Sequence, residues 1–222
     1  MELVLTPELL IDAYKQGLFP MAYSGDSAYV HWVCPEERGQ LSIECLHISS
    51  SLKKTILKNI KRNGPYAIKI DTDFTAVMRE CAAMSENRPE TWINEPIIEA
   101  YRKLHMRGFA HSVECWEDGV LVGGLYGVAI GGAFFGESMF SRKANTSKIA
   151  LVHLCARLWK AGYTVLDTQF VNDHLKQFGV YEIPHKVYLE RLRPALKLGT
   201  DFKLEGLSEA ELMLDYLQNR NG

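Results

Sequence analysis

Gly123-Gly124-Leu125-Tyr126-Gly127-Val128-Ala129-Ile130-Gly131-Gly132-Ala133-Phe134-Phe135-Gly136-Glu137-Ser138-Met139-Phe140-Ser141-Arg142 is the stretch on which the fold of this 222-residue chain turns. Small residues alternate with large apolar ones, and the run closes on a carboxylate, two hydroxyls and an arginine. Asp118-Gly119, just before it, is a strong two-residue hairpin signal. Gly131-Gly132 turns the chain a second time. The spacing therefore predicts an antiparallel meander with strands over 111–116, 121–130 and 133–137. Glycine inside a strand costs chain entropy and leaves no side chain to pack. Its frequency here has two readings. Either another molecule, or another backbone, comes close to the sheet, or the strands cross near a bulge.

Downstream of the meander, Asn145 is the predicted cap of a helix over 146–161 that Gly162 ends. Thr164-Val165-Leu166-Asp167 reads as a short apolar strand closing on a carboxylate. A short helix then reaches Phe178-Gly179, Ile183-Pro184 leads into another, and Ser208 caps a terminal amphipathic helix. Upstream, Thr6-Pro7-Glu8 opens a first helix that Gly17 stops. The segment 18–23 reads as an unusually apolar loop, and 29–33 as a strand. Phe19, Tyr23 and Trp32 together suggest a pocket wall more than a lid over a core. Ser49-Ser50-Ser51 begins a second helix closed by Asn63-Gly64-Pro65, a strand covers 66–70, and two more helices are capped by Asp71-Thr72-Asp73 and by Asn94. The order predicts an α/β fold of the α+β type: a mixed, largely antiparallel sheet with flanking helices.

Composition is ordinary for a globular domain, 47% hydrophobic and 23% charged, with a formal net charge of −2. Contact with nucleic acid would then need a local basic patch. One is available. Lys54, Lys58, Lys61 and Arg62 share a helix face opposite Leu52, Ile56, Leu57 and Ile60. That face is either solvated or a contact for a phosphate backbone. No apolar run is long enough to span a bilayer, and the first residues lack the regions of a signal peptide. Five widely spaced cysteines without a Cys-x-x-Cys fit reduced thiols in a cytoplasm, with no zinc site.

Several common chemistries are excluded. There is no Walker loop, no G-x-G-x-x-G and no H-E-x-x-H. Gly136-Glu137-Ser138-Met139-Phe140 has the outline of a nucleophile elbow but lacks its last glycine and its strand-to-helix turn. The histidines show no metal-ligand spacing. What remains is Asp167-Thr168-Gln169 at a strand end. Residues two apart on a strand face the same way, so this carboxylate and amide are placed to touch and to guide a proton during acyl transfer. The competing reading makes Asp167 the start of a turn and Gln169 merely polar.

Taken in order, the motifs identify a resemblance. The chain resembles the bacterial leucyl/phenylalanyl-tRNA–protein transferases over almost its whole length. Ala13-Tyr14-Lys15-Gln16-Gly17-Leu18-Phe19-Pro20 looks like the family's A-Y-x-x-G-x-F-P, and 32–38 is similar to W-W-S-P-x-x-R. Thr91-Trp92-Ile93, Ala100-Tyr101, Leu104-His105 and 110–114 follow the family's spacing. So does the opening stretch, while Asn145-Thr146-Ser147-Lys148 looks like N-A-S-K and 167–169 like D-x-Q. Departures fall at Met21, Val33, Cys34, Gln177 and His185. The family's G-L-L-A-x-G-G-D segment is also expected to be lacking ahead of the first helix.

The resemblance implies a small N-terminal domain, 1–48, joined to a GNAT-like aminoacyl-transferase domain, 49–222. It implies transfer of leucine or phenylalanine, and less readily methionine, from aminoacyl-tRNA to the α-amino group of proteins beginning with Lys or Arg. That creates an N-degron for ATP-dependent proteolysis, with no metal or organic cofactor and no membrane partner, in a cytoplasmic monomer. The site residues carried over are Asp167, Gln169, Glu137 and Asn172 for catalysis. Trp92, Tyr101, Phe134, Met139 and Leu166 are expected around the aminoacyl side chain, with Phe19, Pro20 and Trp32 near the terminal adenosine. Lys54, Lys58, Lys61 and Arg62 are expected on the tRNA backbone. The alternative is a GNAT-like N-acyltransferase using acyl-CoA. It would want a glycine-rich pyrophosphate loop, where this chain has Arg142-Lys143-Ala144-Asn145.

Overall fold

A computed structural model describes residues 5–27, 29–61, 64–84 and 90–220. In chain order the elements are α1 (Pro7–Lys15), β1 (Phe19–Ala22), β2 (Val30–Val33), β3 (Glu37–Leu41), α2 (Ser50–Lys61), β4 (Ala67–Ile70), α3 (Phe74–Ala82), α4 (Glu95–Met106), β5 (Ala110–Glu117), β6 (Val120–Ile130), β7 (Ala133–Ser141), α5 (Thr146–Ala161), β8 (Val165–Gln169), α6 (Asp173–Lys176), β9 (Tyr181–Pro184), α7 (His185–Ala195) and α8 (Glu209–Asn219). Arg62, Asn63 and 85–89 lie outside the described residues.

Seven strands form one sheet in the order β4-β5-β6-β7-β8-β3-β9. The predicted meander is its centre. Every neighbouring pair is antiparallel except β7 and β8, which run parallel. This is the expected mixed, mostly antiparallel sheet. Alternation along β6 and β7 splits the core between the two faces. Tyr126, Val128, Ile130 and Phe135 join the cluster with α1, α3, α4 and α7. Leu125, Ala129 and Phe134 join the cluster with α2, α5 and α8. Nearly every residue of 146–158 is buried, so α5 is covered on all sides, not half-solvated.

Three local expectations need correction. The apolar segment 18–23 is not a loop: Phe19–Ala22 pairs with Val30–Val33, and Pro20 sits opposite Trp32. A two-stranded ribbon tolerates the proline because its outer edge needs no N–H donor. Second, β3 and β9 were not visible in sequence. Glu37-Arg38-Gly39-Gln40-Leu41 carries no apolar alternation, yet four of its five residues are buried. Third, Asn145 makes no side-chain cap, being held at φ +67°. Ser141 Oγ, from the end of β7, instead accepts the Ser147 N–H at 3.0 Å.

The glycines of the meander also find their reason here. A Cβ on Gly123 would run into Thr146 of α5, and one on Gly127 would run into the Phe135 carbonyl and the Phe134 ring. The close approach is by this chain's own atoms, by the Thr146 side chain at Gly123 and by backbone at Gly124, Gly127 and Gly131. Of the glycines in this stretch, Gly136 alone lines the cavity described below.

Candidate active site

Two irregularities in the sheet build the site. The first is a bulge. Tyr126 pairs with Ser138 and Gly127 with Gly136, which leaves Glu137 as the extra residue of β7. A bulge re-aims the side chain it inserts. Here it sends Glu137 towards the α1 and α4 side, where Tyr14 Oη donates to Oε1 at 2.7 Å and Tyr101 Oη donates to Oε2 at 3.2 Å. The two tyrosine hydroxyls also lie within hydrogen-bond reach of each other, as an alternative to one of those donations. Burial pushes the Glu137 carboxyl up to about 7, against the downward pull of the two tyrosine hydrogen bonds.

The second irregularity is a divergence. The parallel pair β7 and β8 stays in register only as far as Phe135 opposite Asp167. Beyond that point the strands separate, and the gap opens into a cavity of about 760 Å³. Its walls are mostly apolar, from Leu125, Met139, Leu151, Leu154 and Leu166 among others, and among the described residues Glu137 is the one carboxylate in the lining. Gln169, Asn172 and His174 stand along the β8 side.

Gln169 reaches this cavity because its backbone is forced. It has φ +63°, a left-handed conformation that a side chain disfavours by roughly 1–2 kcal/mol. Phe170 N–H bonds back to the Thr168 carbonyl at 2.6 Å, closing a tight turn. Asp167 Oδ1 accepts the Gln169 backbone N–H at 2.8 Å and helps to hold the strained residue. The turn throws the Gln169 side chain across the gap, where Nε2 donates to Glu137 Oε1 at 2.8 Å.

This corrects the expected contact between two same-face side chains. Asp167 meets Gln169 through the backbone, and its carboxylate points away from the cavity. Arg38 donates to it through Nε at 3.0 Å and through Nη2 at 2.7 Å, and Tyr188 Oη donates at 2.7 Å. Arg38 and Asp167 have no solvent exposure. Arg38 also ties α1 into the site by donating to the Gly17 carbonyl at 2.7 Å.

The other predicted residues divide. Trp92, Met139, Leu166 and Asn172 line the cavity. Asn172 also caps α6, its Oδ1 accepting the Leu175 N–H. Tyr101 is buried behind Glu137 and acts on the cavity through that carboxylate. Phe134 is not a wall. Strand parity puts it on the α5 face, stacked on Phe202 with ring centroids 5.5 Å apart. Phe19, Pro20 and Trp32 do not line the cavity either. Phe19 is fully buried under the Arg38 guanidinium, and β1 offers the cavity only Met21. Lys54, Lys58 and Lys61 lie exposed along α2 with no acidic partner among the described residues. Arg62 lies outside them.

Sequence reading missed the supports. Neither Tyr14 nor Arg38 stands out in the sequence as a candidate site residue. Their signal lay in the motifs 13–20 and 32–38, which bring them to Glu137 and Asp167 only once the sheet is folded.

Comparison with known proteins identifies the family. The sequence model described as leucyl/phenylalanyl-tRNA protein transferase matches residues 40–193, and that of the N-terminal domain of the same proteins matches 4–36. The chain belongs to the leucyl/phenylalanyl-tRNA protein transferase family. It is 54% identical over 192 residues to the leucyl/phenylalanyl-tRNA–protein transferase of Paramagnetospirillum magneticum, covering 86% of this chain and 90% of that one. It is 52% identical over 196 residues to the Hyphomonas neptunium protein of the same name, covering 88% and 74%. The Caulobacter vibrioides protein is 48% identical over 218 residues, 98% of this chain and 97% of the relative. In this leucyl/phenylalanyl-tRNA protein transferase family member, Tyr14 falls inside the N-terminal match and Arg38 just beyond its end, and each grips a carboxylate of the main sheet. Among the described residues no helix is long and apolar enough to cross a membrane.

Proposed function

We infer that this chain transfers leucine or phenylalanine, and methionine less readily, from aminoacyl-tRNA to the α-amino group of proteins that begin with Lys or Arg. The product is a protein marked for ATP-dependent proteolysis. One observation carries the reading: a single carboxylate set into the wall of a large apolar cavity. An apolar aminoacyl side chain fits against Leu125, Met139, Leu151, Leu154 and Leu166, while its α-ammonium group meets Glu137. The ester to be broken is already activated, so placement and proton guidance do most of the catalytic work.

In this assignment Gln169 and Asn172 orient the ester carbonyl, and Asp167 acts by holding Gln169. Tyr101 positions Glu137. The terminal adenosine lies beside Met21 and Trp92, where an aromatic face suits stacking. Lys54, Lys58 and Lys61 meet the tRNA backbone. We also propose the two-part organisation 1–48 and 49–222, with β3 as the strand by which the first part is woven into the large sheet. The enzyme works as a cytoplasmic monomer and uses no metal or organic cofactor.

An acyl-CoA donor is disfavoured. Its pyrophosphate needs open N–H donors at a helix N-terminus. At α5 the Ser147 N–H is already taken by Ser141 Oγ. The test is transfer of labelled phenylalanine from charged tRNA to peptides starting with arginine or with glutamate. Transfer to the first only is expected. No transfer at any salt concentration would sink the reading.

A further inference from the structure

Amide formation from an ester leaves a proton to be moved. The attacking α-amine is largely an ammonium at pH 7, with a usual pKa of about 7.7–8.0. It must lose one proton to become a nucleophile, and a second once its nitrogen has bonded to the ester carbonyl. The cavity offers few groups able to take one. Glu137 already accepts from Tyr14, Tyr101 and Gln169. Asp167 does not line the cavity and is filled by Arg38, Tyr188 and the Gln169 N–H.

His174 is different. It lines the cavity on α6, two residues beyond Asn172. Neither of its ring nitrogens has a hydrogen-bond partner among the described residues. Its ring leans on Phe178 at 6.1 Å between centroids. From these observations we propose that His174 is the general base for the acceptor amine. This rests on the transferase reading above.

The step balances. With its first proton released to water, the amine nitrogen bonds to the ester carbonyl carbon while its second proton passes to the His174 ring. The carbon–oxygen bond to the ribose then breaks, and the imidazolium returns the proton to the departing ribose oxygen. No oxidant, reductant or further reactant is needed. The surroundings favour the neutral ring that a base requires. The residue keeps solvent exposure, but partial desolvation of its ring lowers the His174 pKa, and the Lys148 ammonium reaching over from α5 lowers it further. Lys148 is itself held there by Gln177 Oε1 at 2.6 Å. The charged neighbours on α6 itself, Asp173 and Lys176, pair with each other at 2.8 Å.

The experiment compares wild type, His174→Gln and His174→Ala with phenylalanyl-tRNA and an arginine-starting peptide. For His174→Gln we expect kcat to fall by roughly a hundredfold or more, with charged-tRNA binding unchanged. On the acid side, the plot of log kcat/KM against pH should be less steep by one unit, because one required deprotonation has gone. Added imidazole should restore part of the activity of His174→Ala. A His174→Gln rate within threefold of wild type would overturn the assignment. So would a large loss with unchanged steepness and no imidazole rescue, since that marks a merely structural role. An inactive wild type would instead overturn the transferase reading on which the proposal rests.

Discussion

Arg38 and Asp167 form an ion pair with no solvent on either side: Nη2 lies 2.7 Å from Oδ2, and both side chains are fully buried. The carboxylate takes further hydrogen bonds from Tyr188 and from the Gln169 backbone. A buried pair of this kind contributes little net stability as a pair, but breaking it strands a charge. This one joins the end of α1, β3, β8 and α7 at the point where β7 and β8 part. It supports the turn that projects Gln169.

The Asp167→Asn variant should therefore lose stability before any question of chemistry arises. Removing one partner of a buried pair costs about 3–5 kcal/mol, and urea unfolding should show a loss of that order. Transfer activity should fall with it, because the one oxygen of a carboxamide cannot serve Arg38, Tyr188 and the Gln169 N–H together. If stability were within about 0.5 kcal/mol of wild type, the positioning role would fail.

Glu137 should impose a pH dependence with a definite sign. Its carboxyl is held at about 7 in the fold, against a usual 4.5. The ionised form binds the donor's α-ammonium group, so the donor KM should rise as pH falls through 7. Tyr14→Phe removes a hydrogen bond that favours the ionised form, so the midpoint should move upwards by ~0.5–1 pH unit. A midpoint that stays in place or moves downwards would contradict this.

The same shift bears on stability. A carboxyl whose folded pKa lies above its unfolded value holds its proton more tightly in the fold. Its stabilising contribution is complete below pH 4.5 and is lost as pH rises through about 7. Glu137→Gln has no such loss. Relative to wild type it should gain thermal stability between pH 5 and pH 8, on the order of 1–3 kcal/mol at the upper end, while transfer is abolished.

Charge reversal at Lys54, Lys58 and Lys61 should weaken use of charged tRNA and reduce the salt dependence of donor KM. A minimal aminoacyl-adenosine donor, too short to reach α2, should be affected little. Equal losses with both donors would remove the tRNA-backbone role.

Two glycines of the meander should answer differently to alanine. At Gly127 the new methyl would meet the Phe134 ring and the Phe135 carbonyl, whereas at Gly136 its nearest neighbour is the Asp167 carbonyl at 3.3 Å. Gly127→Ala should cost about 1–3 kcal/mol through overpacking. Gly136→Ala should unfold much like wild type and act instead on donor KM, because it intrudes on the cavity.

By itself the sequence determined the meander, the caps at Thr6, Asp73, Asn94 and Ser208, and the mixed sheet between helices. These follow from local periodicity and from side chains that bond neighbours three residues away. It also marked Glu137, Asp167 and Gln169, by motif. What it could not give was their arrangement. The contacts of Tyr14 with Glu137 and of Arg38 with Asp167 span 123 and 129 residues, and no local pattern encodes a partner so far along the chain. β3 was hidden for the same reason: its polar residues are buried because Asp167 receives Arg38, not because they alternate. Tertiary structure alone decided that Glu137 is the bulged residue, that Gln169 is turned into the gap by a positive φ, and that Phe134 faces α5. Side-chain direction in a sheet depends on register, and register is fixed only when the strands have found one another.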